Sequence, residues 1–165
     1  MLSKAMEKSL KTFFSSPQFA VVGASSDPTK FGHKVFVWYL THSLPVTPLN
    51  PRAPSITIAS KTYPTLSSPS ELSNPKETSL SVITPPKATL QVLKEAREVG
   101  IPAVWLQPGT FDEEVLKEAG RYEESGGVVI GGLEGGTGGE EGWCVLVDGE
   151  GGLSVAGRGW DRVRL

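Results

Sequence analysis

Cysteine is almost missing from this chain. Cys144 is the single thiol in 165 residues, which excludes an intramolecular disulfide and points to a reducing compartment. Histidine is nearly as scarce, with His33 and His42 only, so one thiol and two imidazoles cannot assemble a familiar zinc spacing and no metal is expected. No apolar run reaches the ~18 residues that a membrane-spanning helix requires. An excess of either charge is also lacking: 16 basic and 18 acidic residues leave a net charge of −2. Nothing in that balance attracts nucleic acid or an anionic membrane, and an anionic ligand would have to be held locally. Also absent are a Ser-His-acid set and paired carboxylates, so an enzymatic reading has little to stand on. The G-x-G-x-x-G dinucleotide fingerprint is missing too, because the next glycine after Gly23 is Gly32.

What is present is a regular alternation of short apolar runs with helical patterns. Residues 1–15, with Lys4, Lys8 and Lys11, read as an amphipathic helix. A basic, serine-bearing start also suits a mitochondrial presequence. Glu7 interrupts the positive run and Phe13 and Phe14 stand close to the first strand, so a helix docked on a cytoplasmic protein is the preferred reading. Residues 19–22 form a buried strand ending at Gly23, and 33–42 a helix stopped by Pro45. Residues 46–49 are a second strand, closed by Asn50 and Pro51, and a long proline-rich loop follows. Ser68, Pro69 and Glu71 are spaced as a capping box that opens a short helix. A third strand at 80–83 leads into a helix over 87–99 that Gly100 terminates. A fourth strand covers 103–106. Thr110 and Glu113 form a second capping box for a helix ended by Gly120, before a fifth strand at 127–130.

This order predicts an α/β fold: a Rossmann-like, doubly wound, mostly parallel sheet of five or six strands in a three-layer αβα arrangement, one domain over 16–132. Past Gly131 the pattern is lost. GGLEGGTGGEEG is glycine-dense and acidic, and reads as a mobile loop rather than a phosphate cradle, since Glu134, Glu140 and Glu141 would repel a phosphate. WCVLVDGEGGLSVAG reads as a strand and turn, a hairpin at the sheet edge within 133–165 of the same domain.

In such a fold the carboxyl ends of the strands form the ligand crevice. Those ends carry Gly23, Ala24, Ser25 and Ser26; then Asn50, Pro51 and Arg52; then Thr84, Pro85 and Pro86; then Gln107 with the Pro-Gly-Thr that follows it. Lys30 and Arg52 are the cations best placed nearby. Small residues and prolines are also the ordinary material of turns, so each set alone is weak support for a site. Asn50 stands where an NAD site would carry an acidic residue, whereas Arg52 suits a sugar phosphate, either the 2′-phosphate of NADP or the 3′-phosphate of coenzyme A.

Taken in order, FAVVGASSDPTKFGHKV, LNPRAP, TYPTLSSPSEL, VITPP and VWLQPG resemble the CoA-binding domain family, the small Rossmann domains similar to the N-terminal part of succinyl-CoA ligase alpha subunits. The resemblance spans roughly residues 13–132. It implies that Gly23, Ala24 and Ser25 hold a pyrophosphate, that Asn50, Pro51 and Arg52 lie by the adenosine and its phosphate, that Thr84, Pro85 and Pro86 line the next stretch, and that Gln107 faces the pantetheine arm. Ligase activity does not come with the binding domain: the phosphorylated histidine of a further domain and the partner subunit have no counterpart in the chain. Cys144 matches the cysteine that follows the fifth strand in single-domain relatives only loosely, and takes no role.

The expectation is therefore a module for CoA or acyl-CoA without catalysis of its own, acting as carrier, sensor or regulatory partner. An NADP-binding oxidoreductase-like protein and a Rossmann-like interaction domain without ligand are the alternatives. A small nucleotide is the expected partner, nucleic acid and membrane are not, and a protein partner and an oligomer stay open. His33 at the start of the first helix is the histidine that could reach a phosphate; His42, Trp38, Tyr39, Trp105 and Cys144 read as structural.

Overall fold

In the computed structural model, described for residues 2–132 and 142–165, the chain forms helix α1 (Lys4–Ser15), strand β1 (Gln18–Val22), α2 (Phe31–Thr41), β2 (Val46–Leu49), β3 (Ser55–Ile58), β4 (Lys61–Pro64), β5 (Thr78–Val82), α3 (Pro86–Val99), β6 (Ala103–Leu106), α4 (Glu113–Glu124), β7 (Val128–Ile130) and α5 (Val145–Ala156). Five parallel strands make the main sheet in the order β2-β1-β5-β6-β7. The chain therefore winds outward from β1 in one direction, crosses back, and continues in the other. The order reverses between β1 and β5, and that gap opens a crevice at the carboxyl ends. The expected Rossmann-like α/β fold is the fold observed. Among the described residues no helix is long and apolar enough to cross a membrane.

Two apolar cores flank the sheet. One joins α1, α2 and α5 through Phe13, Phe14, Phe19, Tyr39 and Trp105, all fully buried; Phe13 meets Phe14 edge to face at 5.0 Å and Trp105 at 5.5 Å, the geometry aromatic quadrupoles favour. The other packs α3 and α4 on the opposite face through Leu80, Leu93, Val104 and Tyr122. β1 and β5 are buried on both faces for this reason, which explains the apolar run of β1, while β5 buries Thr78, Ser79 and Ser81 as well. Within the first core the Tyr39 and Ser81 hydroxyls meet at 2.6 Å.

Pro48 sits in β2, where a missing N–H is tolerated because β2 is the edge strand of the sheet. Gly100 adopts φ 81° and closes α3, as its position predicted.

Four local readings are corrected. The proline-rich stretch after β2 contains an antiparallel hairpin, β3 with β4. Ser68 makes no side-chain cap; Glu71 instead accepts from the Ser67 N–H at 2.7 Å around a single 3-10 turn. The cap of α4 is Asp112, whose carboxylate accepts from Val115 N at 2.9 Å, while Thr110 donates to the Gln107 carbonyl and α4 runs on through Gly120.

The largest correction is that the expected C-terminal strand or hairpin is the helix α5. Its glycines are what let it dock: a Cβ on Gly149 would lie 2.3 Å from the Trp38 ring, and one on Gly152 2.5 Å from the Phe14 ring. Burial of this flat face outweighs the poor helix propensity of glycine, about 1 kcal/mol per residue relative to alanine. Cys144 is accordingly the residue preceding a helix and half-buried, rather than a buried strand residue. The loop expected across the glycine-dense stretch falls mainly on 133–141, outside the described residues.

α1 is docked by Met6, Leu10, Phe13 and Phe14. The tail after α5 is held by Arg158, which donates to the carbonyls of Phe14 and Ser16, and by Val163 N to Thr41 O at 2.9 Å.

Candidate functional site

β1 ends at Gly23, which takes φ 96° and sends its N–H to the Leu49 carbonyl at 3.0 Å. That left-handed conformation favours glycine. A Cβ here would also lie 3.2 Å from the Ile83 carbonyl and 3.4 Å from Thr84 Cγ2. Nine residues later α2 passes so close that a Cβ on Gly32 would stand 1.9 Å from the Gly23 carbonyl oxygen. Gly32 is thus required by close approach, and the turn is wedged between α2 and β5.

Side chains then fasten the turn from both sides. Asn50 Nδ2 donates to the Ala24 carbonyl at 2.9 Å, and Asn50 Oδ1 accepts from Arg52 N at 2.8 Å. His33 Nδ1 donates to the Ser25 carbonyl at 3.0 Å, leaving Nε2 as the ring atom that could meet a ligand. The Ser26 hydroxyl accepts from Thr57 N of β3 at 2.9 Å, so the unforeseen hairpin braces the turn. Asp27 accepts from Thr29 Oγ1 at 2.7 Å and from Thr29 N at 2.9 Å. These bonds, helped by the charges of Lys30 and His33, hold its carboxyl below the usual range. Lys30 is exposed and precedes α2 without capping it through its side chain.

Beyond β2, residues 50–54 border a polar groove with Thr65, Ser67 and Glu71, about 470 Å³ in volume. Arg52 is exposed on its rim. On the other side of the turn lies a larger cavity of about 790 Å³. Residues 83–86 and 107–110 form its base, and Phe31, Gly142, Cys144, Leu146 and Val147 its remaining walls. Gln107, at 3 % exposure, fixes the far end: its Oε1 accepts from Val145 N at 2.8 Å and its Nε2 donates to Cys144 Sγ at 3.3 Å. The first bond identifies which end of the amide is oxygen and satisfies an N–H at the start of α5 that the helix itself cannot.

All the sequence-predicted site residues therefore lie on one edge, in three adjoining places. Asn50, Pro51 and Arg52 border the groove; Gly23, Ala24, Ser25 and Ser26 make the central turn with Lys30 behind it; Thr84, Pro85, Pro86 and Gln107 line the cavity. Sequence reasoning missed the α5 wall, Cys144, Leu146 and Val147, because that segment was read as a strand. It also missed Phe31, whose exposure at a helix start carries no signal in one dimension.

A family model described as CoA binding domain matches residues 17–132. No curated protein matches the sequence. Among solved structures, a conserved hypothetical protein from Pyrococcus furiosus is 34% identical, with 68% of this chain and 90% of that chain covered and a TM-score of 0.57. A Thermus thermophilus protein is 28% identical over 75% of this chain and 89% of its own, TM-score 0.59. A hypothetical protein from Pyrococcus horikoshii OT3, 22% identical with 78% and 84% covered and a TM-score of 0.64, shares the fold. With a family model matching most of its length, and a turn, groove and cavity aligned along the sheet's carboxyl edge, the chain belongs to the CoA binding domain family.

Proposed function

We propose that the protein is a binding module for coenzyme A, free or acylated, and that it carries or senses the nucleotide without transforming it. The observation that supports this reading is order. Across the sheet, β2, β1, β5 and β6 present in turn a polar groove with Arg52, a glycine turn beside a helix start, a proline-lined step and an apolar cavity. Coenzyme A presents in the same order a phosphorylated ribose with adenine, a pyrophosphate, a pantetheine arm and a thiol.

Each part has a matching physical role. The start of α2 offers backbone N–H groups free of intrahelical partners, and the helix dipole favours an anion there. Gly23, Ala24, Ser25 and Ser26 with Lys30 would hold the pyrophosphate. Arg52 would pair with the 3′-phosphate; guanidinium suits that geometry. Thr84, Pro85 and Pro86 would flank pantetheine, with Gln107 at its end. The test is titration calorimetry of the purified chain with CoA, dephospho-CoA, NADPH and NADH. CoA should bind most tightly and lose affinity without its 3′-phosphate. Binding of NADPH with none of CoA would replace this reading with an oxidoreductase-like one, and binding of neither would leave an interaction domain.

A further inference from the structure

We infer, resting on that reading of the edge as a CoA site, that the ligand is an acyl-CoA thioester and that the cavity between β5, β6 and α5 receives the acyl group. The pantetheine arm would lie along Thr84, Pro85 and Pro86, and a free thiol would leave the part of the cavity toward Leu146 and Val147 unfilled. The cavity holds about 790 Å³, within the range of sites that enclose a whole small molecule, roughly 300–1,000 Å³. Its walls are mainly hydrocarbon: Ile83, Pro86, Pro108, Leu146 and Val147.

A second observation lies at the mouth. Phe31 is 57% exposed and Val147 54%, the two most exposed large apolar side chains among the described residues, and both line this one cavity. They belong to separate elements, α2 and α5, so their meeting at one opening is a product of the fold. An acyl chain entering there would remove both from water.

The polar end of the cavity suits a thioester carbonyl. Gln107 Oε1 is committed to Val145 N, so the Nε2 end, with two hydrogens, is the end turned to Cys144. Sulfur is a weak acceptor, and a carbonyl oxygen arriving beside it would be the better partner for this amide. The cavity also begins where the phosphate turn ends, since Thr84 lies both on its wall and within 3.4 Å of a Cβ built on Gly23.

The experiment is calorimetry of the full chain with CoA and its acetyl, butyryl, hexanoyl and decanoyl thioesters, repeated on Val147→Asp and with hexanoyl-pantetheine as a ligand without the nucleotide. Affinity should rise with chain length by up to about fourfold per methylene while the cavity fills. Val147→Asp, at an exposed position on the mouth, should abolish that rise, so that the thioesters no longer differ with chain length. Equal affinity for CoA and hexanoyl-CoA would overturn the acyl pocket while leaving the CoA site intact. Hexanoyl-pantetheine binding that Val147→Asp abolishes, with no binding of CoA, would support the pocket and refute the nucleotide site. Silence of every ligand would overturn both.

Discussion

The side-chain carbonyl of Gln107 accepts the backbone N–H of Val145 at 2.8 Å, joining the end of β6 to the first turn of α5 across 38 residues of chain. Both groups are buried, so neither can substitute water when the other is lost. Gln107→Ala should lower stability by about 1–3 kcal/mol, the cost of an orphaned buried donor. At a typical slope for this size that is a fall in Tm of roughly 2–12 °C. Gln107→Glu keeps an acceptor for Val145 N and should retain more stability than the alanine variant. Thermal unfolding by circular dichroism compares the two; identical losses would show that the bond to Val145 contributes nothing.

The glycines of α5 should respond to alanine with opposite signs. Gly149→Ala and Gly152→Ala drive a methyl to within 2.3 and 2.5 Å of the Trp38 and Phe14 rings. Each should cost about 1–3 kcal/mol, as overpacking does. Gly151 has no atom within 4 Å of its Cβ position, and Gly151→Ala should stabilise by about 0.5–1 kcal/mol through helix propensity. Chemical denaturation resolves both directions. A uniform response at the three positions would refute the docking face assigned to α5.

Gly32→Ala puts a methyl 1.9 Å from the Gly23 carbonyl oxygen, and only backbone movement of the turn or of α2 can relieve it. The variant should bind CoA at least about tenfold more weakly, because a misplacement near 1 Å already costs a positioned site that much. Calorimetry with folding checked by circular dichroism reads it. Full affinity in a folded Gly32→Ala variant would remove the turn from the ligand.

Arg52→Ala tests the groove. Arg52 is exposed and its backbone N–H is held by Asn50, so truncation should leave folding unchanged. The affinity for CoA should fall about tenfold or more, as expected for a charge-assisted contact of roughly 1.5–3 kcal/mol, with little change for dephospho-CoA. Equal losses for both ligands would place the 3′-phosphate elsewhere.

His42 closes the far side of the molecule. Its ring stacks at 4.1 Å on Trp38 and lies 4.2 Å from Trp160, with Nδ1 donating to the Trp38 carbonyl at 2.6 Å and Nε2 2.9 Å from Glu150 Oε1. His42→Ala should cost on the order of 2–3 kcal/mol, since it removes a buried ring packed between Trp38 and Trp160. Glu150→Ala, at a side chain more than half exposed, should cost under about 1 kcal/mol. Similar losses from the two variants would mean that the hydrogen bond to Glu150, rather than the packing, carries the contact.

Local pattern carried most of the α/β architecture. The strands at 19–22 and 103–106 were legible because a parallel strand buried on both faces is continuously apolar, and those at 46–49, 80–83 and 127–130 because short, largely apolar runs there are bounded by glycine or proline. The residues at the strand ends followed from the fold type, which aims all such ends at one crevice. Tertiary structure decided what depends on a partner distant in the chain. α5 is a helix because Trp38 and Phe14 offer flat faces that only glycine can approach, a relation that no window around Gly149 contains. The hairpin at 55–64 braces Ser26 through Thr57, and the cavity exists because Phe31, Ile83, Gln107 and Val147 are brought together from four separate segments. Periodicity records which face of an element is buried, whereas only packing decides what lies against it.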